Sequence, residues 1–303
     1  MPEGDTIFRT AVTLSKAIGG KVVRRLSSPL PAVASYSDRL AGRRIEKIEP
    51  RGKNLLIHFE DGTALHTHMR MTGSWHVYRP GERWQKSERA ARVVIETDDF
   101  VAVCFAAPVV EMIPGGALAR HPSLSRLGPD VLGAGFDQGL AWARLRQRGD
   151  APIGEALLMQ GALAGIGNVY KSETLFLCRI DPFVRVAALS DETLDRVIST
   201  ARELMSRNLE GYPRTTTPSA ARAFLPLRGS RYWVYGRKGE PCLECGAPIA
   251  ATRASARPDP AAPSGPLPAS GGEAARVTFY CPECQPEGAA GDRPASKGLH
   301  TRG

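Results

Sequence analysis

No stretch of the 303 residues approaches the roughly 20 consecutive apolar residues that a helix needs to cross a bilayer, so a membrane-spanning protein is not expected. The opening MPEGDTIF has neither a basic patch nor an apolar core, which argues against a secretory signal, so the expected location is the cytosol, or wherever DNA is. Internal repeats are lacking, which removes repeat arrays. Acidic residues are the scarcer sign: 31 against 40 basic ones, a net charge of +9 and a pI near 9.5. That balance favours polyanionic partners, but many basic proteins bind no nucleic acid, and charge alone does not decide. What is present, 42% hydrophobic and 23% charged residues, suits a globular chain long enough for two domains.

Cysteine is also sparse, with six in all, and its placement is informative. Cys104 and Cys178 sit alone in apolar surroundings and are predicted to be buried structural thiols. The other four form two C-x-x-C pairs, Cys242 with Cys245 and Cys281 with Cys284. Each pair puts two sulfurs on one tight turn, and two such turns complete a tetrahedral all-thiolate zinc site; a redox dithiol is the alternative. The 35 residues between the pairs exceed the usual finger spacing. A hairpin with a long tip accounts for that, because 250–275 is rich in Ala, Pro, Ser and Gly and reads as a disordered insertion. The tail at 287–303 reads the same way.

Apolar periodicity divides the rest. Ile7, Ala11, Leu14 and Ile18 recur at helical spacing, with Asp5 as a candidate cap and Gly19-Gly20 as the stop. Strand-like runs follow at Lys21–Leu26, Arg43–Glu49, Asn54–Phe59, Thr63–His68, Ser74–Tyr78, Arg92–Glu96 and Val101–Phe105, a pattern expected of a sandwich or barrel. From about Phe136 the pattern is helical. Ser190 can cap a helix whose apolar stripe is Leu194, Val197, Ile198, Ala201, Leu204 and Met205.

Three local features could carry chemistry. In LMQGALAGIGNVYKSE (158–173), glycines interrupt two helix-like segments and Asn168 opens the second. Amides at a helix start suit a phosphate, and a plain helix–helix turn would look the same. Pro2, once Met1 is removed, offers a secondary amine with a pKa of roughly 8 that can attack an electrophilic carbon, and Glu3 beside it can move a proton; residues so near a terminus are usually idle. His66 and His68 alternate on one strand face. No third ligand is apparent, so packing or hydrogen bonding is expected of them rather than metal binding.

MPEG, RGKNLL (51–56), HMRMTG (68–73), LGPDVL (127–132), GIGNVYKSE (165–173), VYGRKGEPC (234–242) and RVTFYCPEC (276–284) stand in one order over residues 1–286. In these stretches the chain resembles the formamidopyrimidine-DNA glycosylase/endonuclease VIII family. The resemblance implies a multidomain α+β fold: an N-terminal β-sandwich flanked by helices (1–122), a helix–two-turn–helix domain (123–229) and a C-terminal four-cysteine zinc-finger hairpin (230–286). It implies a monomer acting on damaged double-stranded DNA, with a flipped nucleotide and one structural zinc ion on Cys242, Cys245, Cys281 and Cys284.

Carried over residue by residue, the resemblance makes Pro2 the nucleophile at C1′ and Glu3 the proton donor. Lys53 holds a phosphate near the lesion, although a surface lysine in a β-turn would read alike. Arg276 of the finger hairpin grips another phosphate. Gly167 and Asn168 bind the DNA backbone, as does Arg126. Arg70 and Met71 fill the gap left by the flipped base. Thr6 stands where many relatives have glutamate, and Asp5 could substitute. The MPEG opening and WVYGRKG look more like the endonuclease VIII branch, which favours oxidised pyrimidines, than the branch that takes 8-oxoguanine and ring-opened purines. Two alternatives remain open: a catalytically silent damaged-DNA-binding protein, and a zinc-ribbon factor, which would leave the first 120 residues without a purpose.

Overall fold

The computed structural model describes residues 2–211, 213–218, 230–253 and 277–291. The chain forms two compact units, Met1–Gly133 and Ala134–Gly303.

The first unit opens with helix α1 (Gly4–Ile18), which buries the expected stripe Ile7, Ala11, Leu14 and Ile18. Its cap is Glu3 rather than Asp5: the backbone is extended at Glu3, and the Glu3 carbonyl accepts from Thr6 N (2.9 Å) and Ile7 N (3.1 Å). Asp5 therefore falls in the first turn, where a carboxylate still complements the unpaired amides. Eight strands follow: β1 (Arg25–Ser27), β2 (Ile45–Arg51), β3 (Asn54–Phe59), β4 (Ala64–His68), β5 (Ser74–Tyr78), β6 (Ala91–Glu96), β7 (Val101–Phe105) and β8 (Val109–Ile113). Short helices α2 (Pro31–Ala34) and α3 (Ser37–Leu40) bridge β1 and β2. The strands make two antiparallel four-stranded sheets, β1-β6-β7-β5 and β2-β3-β4-β8. The sandwich expected from the spacing of the runs is present.

The expected strand Lys21–Leu26 is broken. Val22 bridges Arg44 beside one sheet, while Arg25 pairs with Glu96 in the other. The chain changes sheets there, so the run cannot be straight. Strand β8 was not anticipated, because VVEMI lacks polar alternation. The order NLLIHF along β3 reflects burial on both faces. Leu55, Ile57 and Phe59 join the core under α1, while Leu56 packs with Ile113 and Leu124 on the other side. That second contact extends the first unit past the expected boundary at 122, as does Asp130, whose carboxylate accepts from Gly52 N (2.7 Å).

The second unit contains α4 (Gln138–Arg146), α5 (Ile153–Ala156), α6 (Asn168–Leu177) and α7 (Asp191–Ser206), with a hairpin of β9 (Ala250–Thr252) and β10 (Thr278–Tyr280). Ser190 caps α7 by accepting from Thr193 N, and the expected stripe is buried. The finger shares a core with α6: Phe176, Val234, Cys242, Ile249 and Cys281 cluster together. Two segments expected to be structureless are partly ordered. Ala250–Thr252 lies in β9, held by β10 pairing, and 254–275 falls outside the described residues. Residues 287–291 pack back on the helices, where Asp181 N donates to Ala289 O (2.9 Å) and Thr193 Oγ1 to Ala290 O (3.3 Å), and 292–303 falls outside.

Candidate functional site

Pro2 is half-buried, and Glu3, next to it, has no solvent exposure. Asp5 is equally buried; its carboxylate meets the Thr6 hydroxyl (3.4 Å) and the Arg9 guanidinium (3.5 Å). The beginning of α1 thus buries two carboxylates within three residues of the expected nucleophile in sequence.

Lys53 lies in the turn between β2 and β3, where Gly52 takes a left-handed φ of 59°. It is 8% exposed, so the idea of an ordinary surface lysine does not hold. Two polar clamps set the turn: Gly52 N on Asp130, and Asn54 Nδ2 donating to the Arg51 carbonyl (3.0 Å). Burial, with His66, Lys53 and Arg70 close by, pushes the His68 pKa down to about 4. Its neutral ring accepts the Arg70 amide at Nδ1 (3.1 Å).

The turn after β4 projects from the sheet. Arg70 holds a left-handed φ of 43°, and Met71 is 67% exposed on a fold that buries most large apolar side chains. The turn is stiff: Gly73 N donates to Met69 O (2.8 Å), Thr72 Oγ1 donates to Ala106 O (2.9 Å), and Met69 is buried beneath. Arg126 is exposed after the buried Leu124.

In the second unit, Gly167 caps α6 with extended backbone and Asn168 is its first residue. Gln160 braces the preceding loop, accepting from Gly165 N (3.0 Å) and donating to Ile166 O (3.1 Å). Asn168 Nδ2 donates to Val277 O (2.7 Å), while its buried Oδ1 has no hydrogen-bond partner among the described residues. Asn168 thereby fixes the residue that follows Arg276; Arg276 itself lies outside the described residues.

The four expected sulfurs converge. Cys242 and Cys284 Sγ are 3.9 Å apart, Cys245 and Cys281 Sγ are 3.5 Å apart, and all four lie within 4.8 Å of one another. A tetrahedral ion with metal–sulfur bonds of about 2.3 Å separates its sulfurs by roughly 3.8 Å, so the set could hold a metal ion. Cys104 and Cys178 are buried thiols, as expected.

The sequence reading gave no role to Glu173. It is fully buried on α6 and accepts from the amides of Trp233 (2.7 Å), Val234 (2.9 Å) and Tyr235 (2.8 Å), and from the Thr216 hydroxyl. Burial raises its pKa, and these donors pull against the rise. Its neighbours on α6, Lys171, Ser172 and Thr174, are polar, so no local signal in the sequence marked it. Glu111 and His121, which join His66, were also missed; they stand far from it in sequence.

A family model described as Formamidopyrimidine-DNA glycosylase N-terminal domain matches residues 1–108, and one described as Formamidopyrimidine-DNA glycosylase H2TH domain matches 127–219. The chain is 37% identical to a probable endonuclease 8 2 of Streptomyces coelicolor, covering 97% of this chain and 99% of the relative. It is 33% identical to the DNA-(apurinic or apyrimidinic site) lyase Nei2 of Mycolicibacterium smegmatis, covering 94% and 99%. Among solved structures, a Lactococcus lactis Fpg mutant in complex with Fapy-dG-containing DNA superposes with a TM-score of 0.73 at 23% identity, covering 94% of this chain and 100% of that one. With sandwich, helical unit and cysteine cluster in place, the chain belongs to the formamidopyrimidine-DNA glycosylase/endonuclease VIII family of DNA glycosylase/AP lyases, on its endonuclease VIII-like side.

Proposed function

We propose that the chain removes oxidised pyrimidines, such as thymine glycol and dihydrouracil, from double-stranded DNA, with Pro2 as the nucleophile, and then cuts the strand by β,δ-elimination. The observation that carries this reading is the fully buried Glu3 carboxylate directly after Pro2. A carboxyl held out of water at the start of α1 can exchange a proton with groups beside it, and the preceding residue offers an amine. Met1 must be absent for that amine to exist.

The steps follow from the groups present. The Pro2 nitrogen bonds to C1′ and gives up its proton, and the damaged base departs with the glycosidic electron pair. Glu3 protonates O4′, the sugar opens, and an iminium forms. The iminium acidifies the C2′ hydrogen, and its loss expels the 3′ phosphate; a second elimination releases the 5′ phosphate. Lys53, stiffly held in its turn, would bind a phosphate beside the lesion, and Arg276 another. The Gly167 and Asn168 end of α6 and the exposed Arg126 would grip the DNA backbone. Met71 would occupy the vacated stack, with Arg70 beside it. The cysteine cluster fits zinc in a structural role, since four thiolates leave no open position. Zinc would hold the β9–β10 hairpin, whose second strand begins two residues after Arg276 in sequence. The reading places a monomer in the bacterial cytoplasm.

Borohydride trapping tests it. Processed protein incubated with a thymine-glycol or abasic duplex is expected to give a covalent protein–DNA adduct, suppressed in Pro2→Gly and in protein that retains Met1. Retarded DNA with no adduct would identify a silent binder instead. A parallel panel of 8-oxoguanine and formamidopyrimidine duplexes decides the lesion class, and faster cutting of the purine lesions would overturn the pyrimidine assignment.

A further inference from the structure

Away from the thiolates, the outer face of the β2-β3-β4-β8 sheet carries a second donor set. The register aligns Leu56, His66 and Glu111 across β3, β4 and β8. After β8 the chain turns through Leu118–Arg120 and lays His121 and Leu124 over this face. Leu124 packs on Leu56 and Ile113, and the His121 ring stands edge-on to His66 at 5.5 Å. His66 is left 2% exposed.

Hydrogen bonding fixes the His66 tautomer. Asn54 Nδ2 is committed to the Arg51 carbonyl, so Asn54 Oδ1 is the atom facing His66 Nε2, at 2.9 Å. Nε2 must therefore carry a hydrogen. In a neutral ring Nδ1 is then a bare lone pair, and it points at Glu111 Oε1 from 2.7 Å. The same oxygen lies 3.2 Å from His121 Nε2. At that separation either a second ring proton or a metal cation must lie between the two acceptors.

We propose that His66 Nδ1, the Glu111 carboxylate and His121 Nε2 bind one divalent transition-metal ion of the zinc type, with a position left for water. The three donor atoms lie within 4.8 Å of one another. Bonds of about 2.0–2.1 Å in a tetrahedral site place donors roughly 3.3 Å apart, so small side-chain rotations suffice. Two imidazoles and a carboxylate suit zinc, cobalt or nickel better than calcium or magnesium. Asn54 is the outer partner that such a histidine normally has. Its other hydrogen bond grips the turn that bears Lys53, so the ion would stiffen that turn. His121 must present Nε2 without a hydrogen and so carry one on Nδ1. Ser123 Oγ, 3.2 Å from Nδ1, can accept it, and the 3.4 Å approach of Leu124 N to the same nitrogen must lengthen.

The test uses the untagged full chain with zinc on its cysteines and excess metal removed. Titration with Co2+ is expected to saturate at one further equivalent, with ligand-field absorption and no thiolate charge-transfer band, and zinc on the cysteines unchanged. His121→Ala should abolish the uptake, and Glu111→Gln should weaken it at least tenfold. Ring-nitrogen NMR of the wild type needs no variant: Zn2+ should shift His66 Nδ1 while Nε2–H persists, and should move the His121 hydrogen to Nδ1. The proposal is overturned by absence of a second equivalent, by uptake unaffected in His121→Ala, or by a His66 ring that carries both hydrogens at pH 7.5 and ignores Zn2+.

Discussion

Replacing Glu173 with glutamine changes no volume and tests whether one buried carboxylate organises the approach to the finger. Oε1 accepts from Val234 N and Tyr235 N, and Oε2 from Trp233 N and the Thr216 hydroxyl. Glutamine keeps one acceptor oxygen. Whichever end becomes the amide nitrogen, at least one buried backbone N–H loses its acceptor, at about 1–3 kcal/mol. The surviving bonds become neutral rather than charge-assisted, which adds roughly 1 kcal/mol. A total of about 3 kcal/mol should lower the melting temperature of the second unit by roughly 6–12 °C. Calorimetry of the zinc-loaded protein reads the shift, and hydrogen exchange should quicken at Trp233, Val234 and Tyr235. Thr216→Val removes one donor only and should cost about 1 kcal/mol. An unchanged melting temperature and unchanged protection at 233–235 in Glu173→Gln would refute the reasoning: the group would then be a neutral acid that donates a hydrogen, and glutamine would mimic it.

Gly73→Ala should be severe, because an added Cβ would sit 2.8 Å from Met69 Cα and O and 2.9 Å from Ala107 Cα. A loss of about 2–3 kcal/mol is expected, with faster tryptic cleavage at Arg70. Cys242→Ser should release the bound metal, read with a colorimetric chelator, and abolish DNA retardation while the melting transition of the first unit stays in place. Glu49, hydrogen-bonded by His58 and paired with Lys47, has its pKa lowered from 4.5 to about 2. Its contribution is complete above pH 4.5 and fades as pH falls through about 2. Solvent screening holds that contribution to about 1 kcal/mol. Subtracting the acid-denaturation curve of Glu49→Gln from that of the wild type should isolate this slope, and a flat difference would remove the ion pair from the account.

Much of this protein was written in local order. Periodicity marked α1 and α7, turn signals separated most of the sandwich strands, and the two C-x-x-C pairs named the four sulfurs that converge, because each of these signals is carried by neighbours in the chain. Membership of the family was legible in short motifs for the same reason. Long-range packing decided the rest. The break after Val22 depends on which sheet each residue reaches, and β8 exists because β4 offered it an edge. Leu124 and Asp130 return to the sandwich through contacts that no local pattern encodes. The paired amides that receive Glu173 lie some 60 residues away, and the Glu111 and His121 that face His66 lie 45 and 55 residues on in sequence. Local propensity can select a strand or a helix, but only the register of a folded sheet determines which side chains share its buried face.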